Sequence, residues 1–317
     1  MQCRQCPYPQ ASCRGTACPN GAEVCGILNV DKPEGWTSHD VVARIRRLSG
    51  QRRVGHAGAL DPFATGVLLV CLGQATRVSE YLMELPKRYH AIVRFGAATD
   101  TYDATGRVVE KTERVPEDLA AIEALLPQFT GRILQTPPPY SALKVAGQPA
   151  YRRTRRGEAV EMEPRPVQVY ELKVLSWVPP DLELEVLCGK GTYIRSLAHD
   201  LGQAAGSAAH LASLRRTAVG GFAVEEATPL AEIEAAFEAG SWKELLYPID
   251  EALLQYPALI VSREQVQRLL QGQPISADGL PDGALHRVYG PDGEFVALVE
   301  GDQTAGLWRP HKVLLCR

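Results

Sequence analysis

No apolar run in this sequence approaches the roughly 20 residues that a membrane span requires. The cysteine-studded start, MQCRQCPYPQASCRGTACPNGAEVC, lacks the apolar centre of a secretory signal. Together these absences point to a cytoplasmic protein. Positive charge is not in excess either, since 34 Lys and Arg against 37 Asp and Glu leave a formal charge of -3, which argues against indiscriminate coating of nucleic acid. There is no Walker-type phosphate loop, no G-x-S-x-G elbow and no H-E-x-x-H helix, which excludes the commonest routes to nucleotide hydrolysis, serine acyl transfer and zinc proteolysis. Internal repeats are missing too.

What is present suits a protein with a real core, because 317 residues with 45% hydrophobic and 22% charged content bury enough apolar surface for one large domain and a small one. Basic residues gather locally: Arg44, Arg46, Arg47, Arg52 and Arg53 in one island, Arg152, Arg153, Arg155 and Arg156 in another. Such islands in an acidic chain read as a localised polyanion site or as solvated faces. Five of the eight cysteines, Cys3, Cys6, Cys13, Cys18 and Cys25, crowd the first 25 residues. Their leading Cys-x-x-Cys pair could ligate zinc. The irregular later gaps and the intervening Pro, Gly, Gln and Ser suit a disordered leader over residues 1–25. Cys71, Cys188 and Cys316 read as small buried hydrophobes.

Order is expected to begin at GILNVDKPEGWTSHDVVARIRRLSG. A strand, Gly26 to Val30, runs into a turn and then a helix that Thr37 or Ser38 can cap and Gly50 can stop, with Val41, Val42, Ile45 and Leu48 as its apolar stripe and Arg44 and Arg47 opposite. GVLLVCLG suits a strand or a buried helix equally. YHAIVRFG, GRVVEKTE, VQVYELKVLSW and LELEVLC read as strands, and PEDLAAIEALLPQF as a helix with Leu119, Ile122, Leu126 and Phe129 on one face. This irregular order predicts an α+β domain with a largely antiparallel sheet. The Pro-, Gly- and Arg-rich stretch 136–166 reads as a long functional surface excursion. Past a boundary near Tyr256-Pro257, one helix and Gly-punctuated strands suffice for a small β-rich domain.

The most unusual stretch is RRVGHAGALDPFATGVLLVCLG, where a single carboxylate, Asp61, stands among glycines. Phe63 rules out a D-x-D phosphotransfer pair and Pro62 rules out an acid-protease loop. A carboxylate between Leu60 and Pro62 remains, either capping a turn or facing a closely approaching ligand.

GHAGALDPFATGVL resembles the catalytic loop of the TruB family of tRNA pseudouridine synthases. The resemblance continues in family order through NVDKPEGWTSHDVV, ATRVSEYL, KRYHA, TDTYDATG, PPYSALK, GTYIRSLAHDLG and LRRTAVG, from about residue 26 to residue 250. It implies a pseudouridine-synthase fold, a mixed and largely antiparallel sheet flanked by helices, over 26–250, with 136–166 as an RNA-binding insertion. Residues 256–317 would then form a small β-rich RNA-binding domain of the PUA type. The Cys-rich leader has no counterpart in the family pattern.

The implied reaction isomerises the TΨC-loop uridine of tRNA, position 55, with Asp61 as nucleophile. The carboxylate could attack C1' of the ribose, attack C6 of the base, or assist loss of the C2' proton. No cofactor is required, because no net redox change or group donor is involved. The resemblance pairs Arg195 with Asp61, and assigns Tyr89 to stacking on the base and to proton transfer. It assigns His56 to positioning of the flipped nucleotides. Lys32, Tyr193, Tyr140, Ser141 and Lys144 match positions near the base pocket or RNA, and Arg152, Arg153, Arg155 and Arg156 belong to the insertion over the tRNA. Asp100 and Asp103 carry no expected role beyond a turn between strands. The expected partner is the tRNA TΨC stem-loop, with no membrane, no obligate protein partner and a monomeric state. A tRNA-binding protein without catalysis on the same fold is the alternative, and it would be expected to lack Asp61, Tyr89 or Arg195.

Overall fold

The structure is a computed structural model that describes residues 23–141, 144–145, 148–149, 162–276 and 283–314. Its centre is a mixed sheet whose long strands are β1 (Gly26–Lys32), β2 (Thr65–Leu72), β3 (Lys87–Phe95), β4 (Gly131–Gln135), β5 (Arg165–Val178), β6 (Asp181–Cys188) and β7 (Ala209–Val219). They lie in the order β1-β2-β7-β3-β6-β5-β4. Every neighbouring pair of these is antiparallel except β7 with β2. The apolar run that suited strand or helix is β2. It is apolar throughout because it lies mid-sheet, with Val67, Leu69 and Cys71 in one core cluster and Leu68, Val70 and Leu72 in another.

The helices follow from their ends and stripes. In α1 (Ser38–Ser49), Thr37 and Asp40 form a reciprocal capping box, and Gly50 closes the helix at φ 64°. Val41, Val42 and Ile45 are its buried face, as their spacing predicts. A short α2 (Ser79–Glu84) packs beneath the sheet. The segment PEDLAAIEALLPQF corrects the sequence reading of a single helix. It forms a five-residue α3 (Leu119–Glu123) and then a 3-10 turn, Leu126–Phe129. Pro127 explains the break, since it has no N–H for an α-helical bond. Ile122 and Leu126 are buried, but Leu119 is 38% exposed. Two further helices, α4 (Ile194–Ala204) and α5 (Leu230–Ala239), complete the large unit.

The C-terminal unit is a five-stranded sheet, built chiefly of Leu285–Tyr289, Phe295–Asp302 and Leu307–Val313, with Val266 and Leu269 of α6 (Arg263–Leu270) in one core with Val288, Val299 and Trp308. It is firmly docked. Leu298 and Leu314 join the apolar cluster of Cys71, Leu82 and Leu253. Arg287 donates to the Tyr289 hydroxyl at 2.9 Å, and that hydroxyl donates to Asp250 at 2.6 Å, all three residues being buried.

Cys71 and Cys188 are buried free thiols. Cys3, Cys6, Cys13, Cys18 and Cys316 lie outside the described residues, as do Arg152, Arg153, Arg155 and Arg156. Among the described residues no helix is long and apolar enough to cross a membrane.

Candidate active site

Asp61 occupies the loop between the short strand Val54–His56 and β2, and clamps hold that loop on both sides of it. Arg216 of β7 is 1% exposed and donates upstream to the carbonyls of Gly58 (3.1 Å) and Ala59 (3.2 Å), and to that of Val67 (2.7 Å) in β2. The Leu60 N–H donates to the Ser38 hydroxyl at 2.8 Å, and that hydroxyl lies 3.1 Å from the Leu60 carbonyl. Downstream, the Pro62 carbonyl accepts from the Gly35 N–H at 2.8 Å and from Lys32 at 3.3 Å. A buried loop of this kind would otherwise strand polar backbone, so these side chains substitute for a ladder.

Lys32 is fully buried and also donates to the carbonyls of Pro33 and Trp36, each at 2.8 Å. Burial pulls its pKa down to about 8, with the Asp61 charge opposing. Its place is under the loop, with its ammonium group spent on backbone.

Arg195, in the first turn of α4, supplies the cation that Asp61 needs. Its Nη2 donates to Asp61 Oδ1 at 3.2 Å, and its Nε stands 2.9 Å from Oδ2 without forming a directed hydrogen bond. The arginine side chain is 7% exposed and the aspartate side chain 38%, so the cation is enclosed by protein while the carboxylate stays partly open to solvent. The same guanidinium donates to the carbonyls of Thr101 (3.2 Å) and Tyr140 (3.1 Å), and Nη1 lies 3.5 Å from Asp103 Oδ2. One cation thus reads two carboxylates. Crowding by protein atoms is the main influence on Asp61 and pushes its pKa above the ordinary carboxylate value. Arg195 opposes that rise, and Asp103 adds to it.

Of the other expected residues, Tyr89, Tyr193 and Tyr140 lie close to this pair. Tyr89 lies on β3 directly across from Arg216 of β7 and is 9% exposed. Burial raises its hydroxyl pKa, while the Arg216 charge and hydrogen bond act the other way. His56 ends the strand before the loop, with its ring centre 6.0 Å from that of His39. Its buried Nδ1 has no partner among the described residues. Burial lowers its pKa, and the charges of His39 and Arg216 lower it further. The Tyr193 backbone exchanges two hydrogen bonds with the Gln135 side chain, at 2.8 and 3.0 Å, and so anchors the start of α4. Ser141, 3% exposed, lies beside Tyr193. Tyr140 contributes its carbonyl to Arg195, and Lys144 falls in the two-residue strand Lys144–Val145.

The first basic island disperses. Arg44 pairs with Glu234 at 2.6 Å, and Arg46 donates to the Val54 carbonyl at 2.7 Å. Arg53 approaches Glu23 at 3.5 Å, which leaves Arg47 and Arg52 as its exposed cations without an acid partner among the described residues.

Two residues of the site escaped the sequence reading. Asp103 looked like a turn residue, yet its Oδ1 accepts from the Thr101 hydroxyl (2.8 Å), the Thr105 N–H (2.9 Å) and the Thr105 hydroxyl (2.5 Å), which leaves Oδ2 toward Arg195. Arg216 carried a usable signal, because adjacent arginines in a strand must face opposite sides, and one of Arg215 and Arg216 had to point inward. Among the described residues no cluster of three His, Cys, Asp or Glu is placed to hold a metal ion.

Comparison with known proteins supports the same regions. Residues 46–194 match the model of the TruB family pseudouridylate synthase N-terminal domain. Residues 195–254 match a tRNA pseudouridylate synthase B C-terminal domain, and 257–309 a Pseudouridine synthase II TruB C-terminal segment. The chain is 46% identical over 286 residues to tRNA pseudouridine synthase B of Thermobifida fusca, covering 87% of this chain and 94% of that protein. It is 42% identical over 281 residues to tRNA pseudouridine synthase B of Stutzerimonas stutzeri, covering 88% and 92%. Among solved structures, a chain in a crystal structure of a Cbf5-Nop10-Gar1 complex superposes with a TM-score of 0.70 at 29% identity, covering 92% of this chain and 85% of that one.

Proposed function

The chain belongs to the TruB family of pseudouridine synthases, and from that membership we propose that it is a tRNA pseudouridine synthase, an isomerase that converts the TΨC-loop uridine at position 55. The observation that carries this reading is the Asp61–Arg195 pair, 2.9 Å apart with the carboxylate partly exposed, both members matching the motifs that resemble the family's.

The reaction breaks the bond between C1' and N1, turns the base, joins C1' to C5, and moves a proton from C5 to N1. A carboxylate can serve by attack at C1', attack at C6, or support for loss of the C2' proton. Each route requires Asp61 ionised and held toward the substrate, which is what Arg195 supplies. Arg195 also supplies more than charge, because its planar fork spans Asp61, Asp103 and two carbonyls at once, a geometry that lysine cannot reproduce.

Tyr89 is the proposed stacking partner of the base and the group that handles the C5 proton. A base inside a folded RNA loop must be extruded before Asp61 can reach it, and His56 is proposed to hold the displaced nucleotides. Lys32 and Arg216 hold the loop rather than the RNA. Tyr193, Tyr140, Ser141 and Lys144 are proposed to act near the base pocket or the RNA, and Arg152, Arg153, Arg155 and Arg156 of the insertion 136–166 to contribute phosphate contacts. Residues 26–250 form the catalytic unit, and 256–317 a PUA-like unit that binds RNA. The enzyme is proposed to act as a cytoplasmic monomer.

The test is to incubate an unmodified tRNA transcript with the protein and map pseudouridine by carbodiimide labelling and primer extension. A single stop at the TΨC-loop uridine is expected. Stops elsewhere would overturn the specificity, and their absence with tight tRNA binding would favour the noncatalytic alternative.

A further inference from the structure

Tyr102 is the one described residue other than glycine with a positive φ, 65°. Side chains on L residues rarely tolerate that backbone, so something must offset the strain. Its ring lies face to face on the imidazole of His199, with centroids 3.9 Å apart and planes 5° from parallel.

The placement of this stack matters because of what flanks each ring. On one side, Thr101 gives its carbonyl to Arg195 Nη1 at 3.2 Å, and Asp103 brings its carboxylate to the same nitrogen at 3.5 Å. On the other side, His199 follows Arg195 by four residues in α4, so the helix presents both side chains on one face. Gln203, another four residues on, holds the imidazole with a 3.1 Å contact to Nε2. Backbone bonds from the turn go elsewhere: the Leu211 N–H donates to the Tyr102 carbonyl and the Ala104 N–H to the Leu211 carbonyl, both at 2.9 Å, which fastens the turn to β7. The stack fastens it to the helix that carries Arg195.

We propose that Tyr102 and His199 are a pair of positioning residues that lock the Thr101–Asp103 turn against α4 and thereby aim Arg195 at Asp61. The proposal rests on the function proposed above and extends it to residues that touch neither substrate nor reacting atoms. Stacked rings suit the task, since an aromatic pair resists both sliding and separation while leaving the turn's polar groups to Arg195.

The test uses the full chain, with kcat and KM measured by tritium release from C5-tritiated uridine in a tRNA transcript. Tyr102→Gly relieves the backbone strain while deleting the ring. It is expected to remain folded by circular dichroism, to lose about tenfold in kcat and to leave KM unchanged. His199→Ala should do the same, and the double variant should be no worse than either single one. Tyr102→Phe, which keeps the ring, should recover most of the turnover that the glycine variant loses. In both ring-deleting variants the acid limb of kcat/KM should move to higher pH, because a misaimed Arg195 opposes the rise in the Asp61 pKa less well. Unchanged kcat in the glycine and alanine variants, multiplicative losses in the double variant, or a raised KM with normal kcat would each overturn the pair, the last by placing it on the RNA. An inactive wild-type enzyme would overturn the proposed function and the pair with it, whereas an active wild type with active variants overturns the pair alone.

Discussion

Arg195 reaches Asp61 from 134 residues away in sequence and stands 2.9 Å from its carboxylate, while 3.5 Å from a second carboxylate, Asp103. A cation shared between two acids sets a balance that each neighbour tilts in a known direction.

The first prediction follows from that balance. Asp61 titrates above an ordinary carboxylate because it is crowded, Arg195 pulls it down and Asp103 pushes it up. Activity that needs ionised Asp61 should therefore be lost on acidification above the usual carboxylate range. Arg195→Met removes the cation and should move the acid limb of kcat/KM to higher pH. Asp103→Asn removes the like charge and should move it to lower pH, although turnover also falls as Arg195 loses an anchor. A pH profile in which both variants shift the same way would contradict the arrangement.

A second prediction concerns the loop itself. Arg216→Met strips hydrogen bonds from the carbonyls of Gly58, Ala59 and Val67. Leaving buried acceptors unpaired costs about 1–3 kcal/mol each before relaxation, so a loss of roughly 3 kcal/mol is expected in urea unfolding. Turnover should fall further than stability explains, because two of the freed carbonyls, those of Gly58 and Ala59, lie within three residues of Asp61. Arg216→Lys keeps the charge without the three-way reach and should recover stability better than activity.

Gly66 provides an independent check on the same contact. It adopts φ +100°, and a Cβ there would lie 2.2 Å from the Arg216 carbonyl oxygen. That oxygen belongs to backbone paired between β7 and β2, so it cannot step aside cheaply. Gly66→Ala should cost about 3 kcal/mol or more from overpacking and backbone strain together. A normal Tm in that variant would contradict the described packing of β7 on β2.

How far this could be read in advance depended on whether the signal was local. The capping box at Thr37 and Asp40 and the stop at Gly50 are short-range chemistry, and α1 runs between them. Asp61 and Arg195 were legible because each sits in a long specific motif. β2 was ambiguous because a strand buried on both faces loses its period of two. Asp103 was hidden for a different reason: a polar residue in a Thr- and Gly-rich turn looks solvated, and only the fold brings α4 across to it. Arg216 needed the sheet order too, because nothing local says that a strand will place an arginine beside the loop of another strand. The break at Pro127 was readable and was outweighed by the apolar spacing around it.

The docking of the C-terminal sheet yields a further prediction. Tyr289→Phe leaves Asp250 without the 2.6 Å hydrogen bond it accepts and Arg287 without a 2.9 Å acceptor. Hydrogen bonds to buried charges are worth about 1.5–3 kcal/mol, and thermal unfolding should show a loss of that order. Turnover at saturating RNA should stay near wild type, because the network lies apart from Asp61. A large fall in kcat would mean that this sheet shapes the site directly.

The most direct measurement of the central claim is tritium release from a C5-tritiated tRNA transcript by the wild-type protein and by Asp61→Ala, alongside tRNA binding by both. Release by the wild type alone, with tRNA bound by both proteins, is the expected result. Release by Asp61→Ala at a comparable rate would contradict the assignment of Asp61 as the reacting carboxylate.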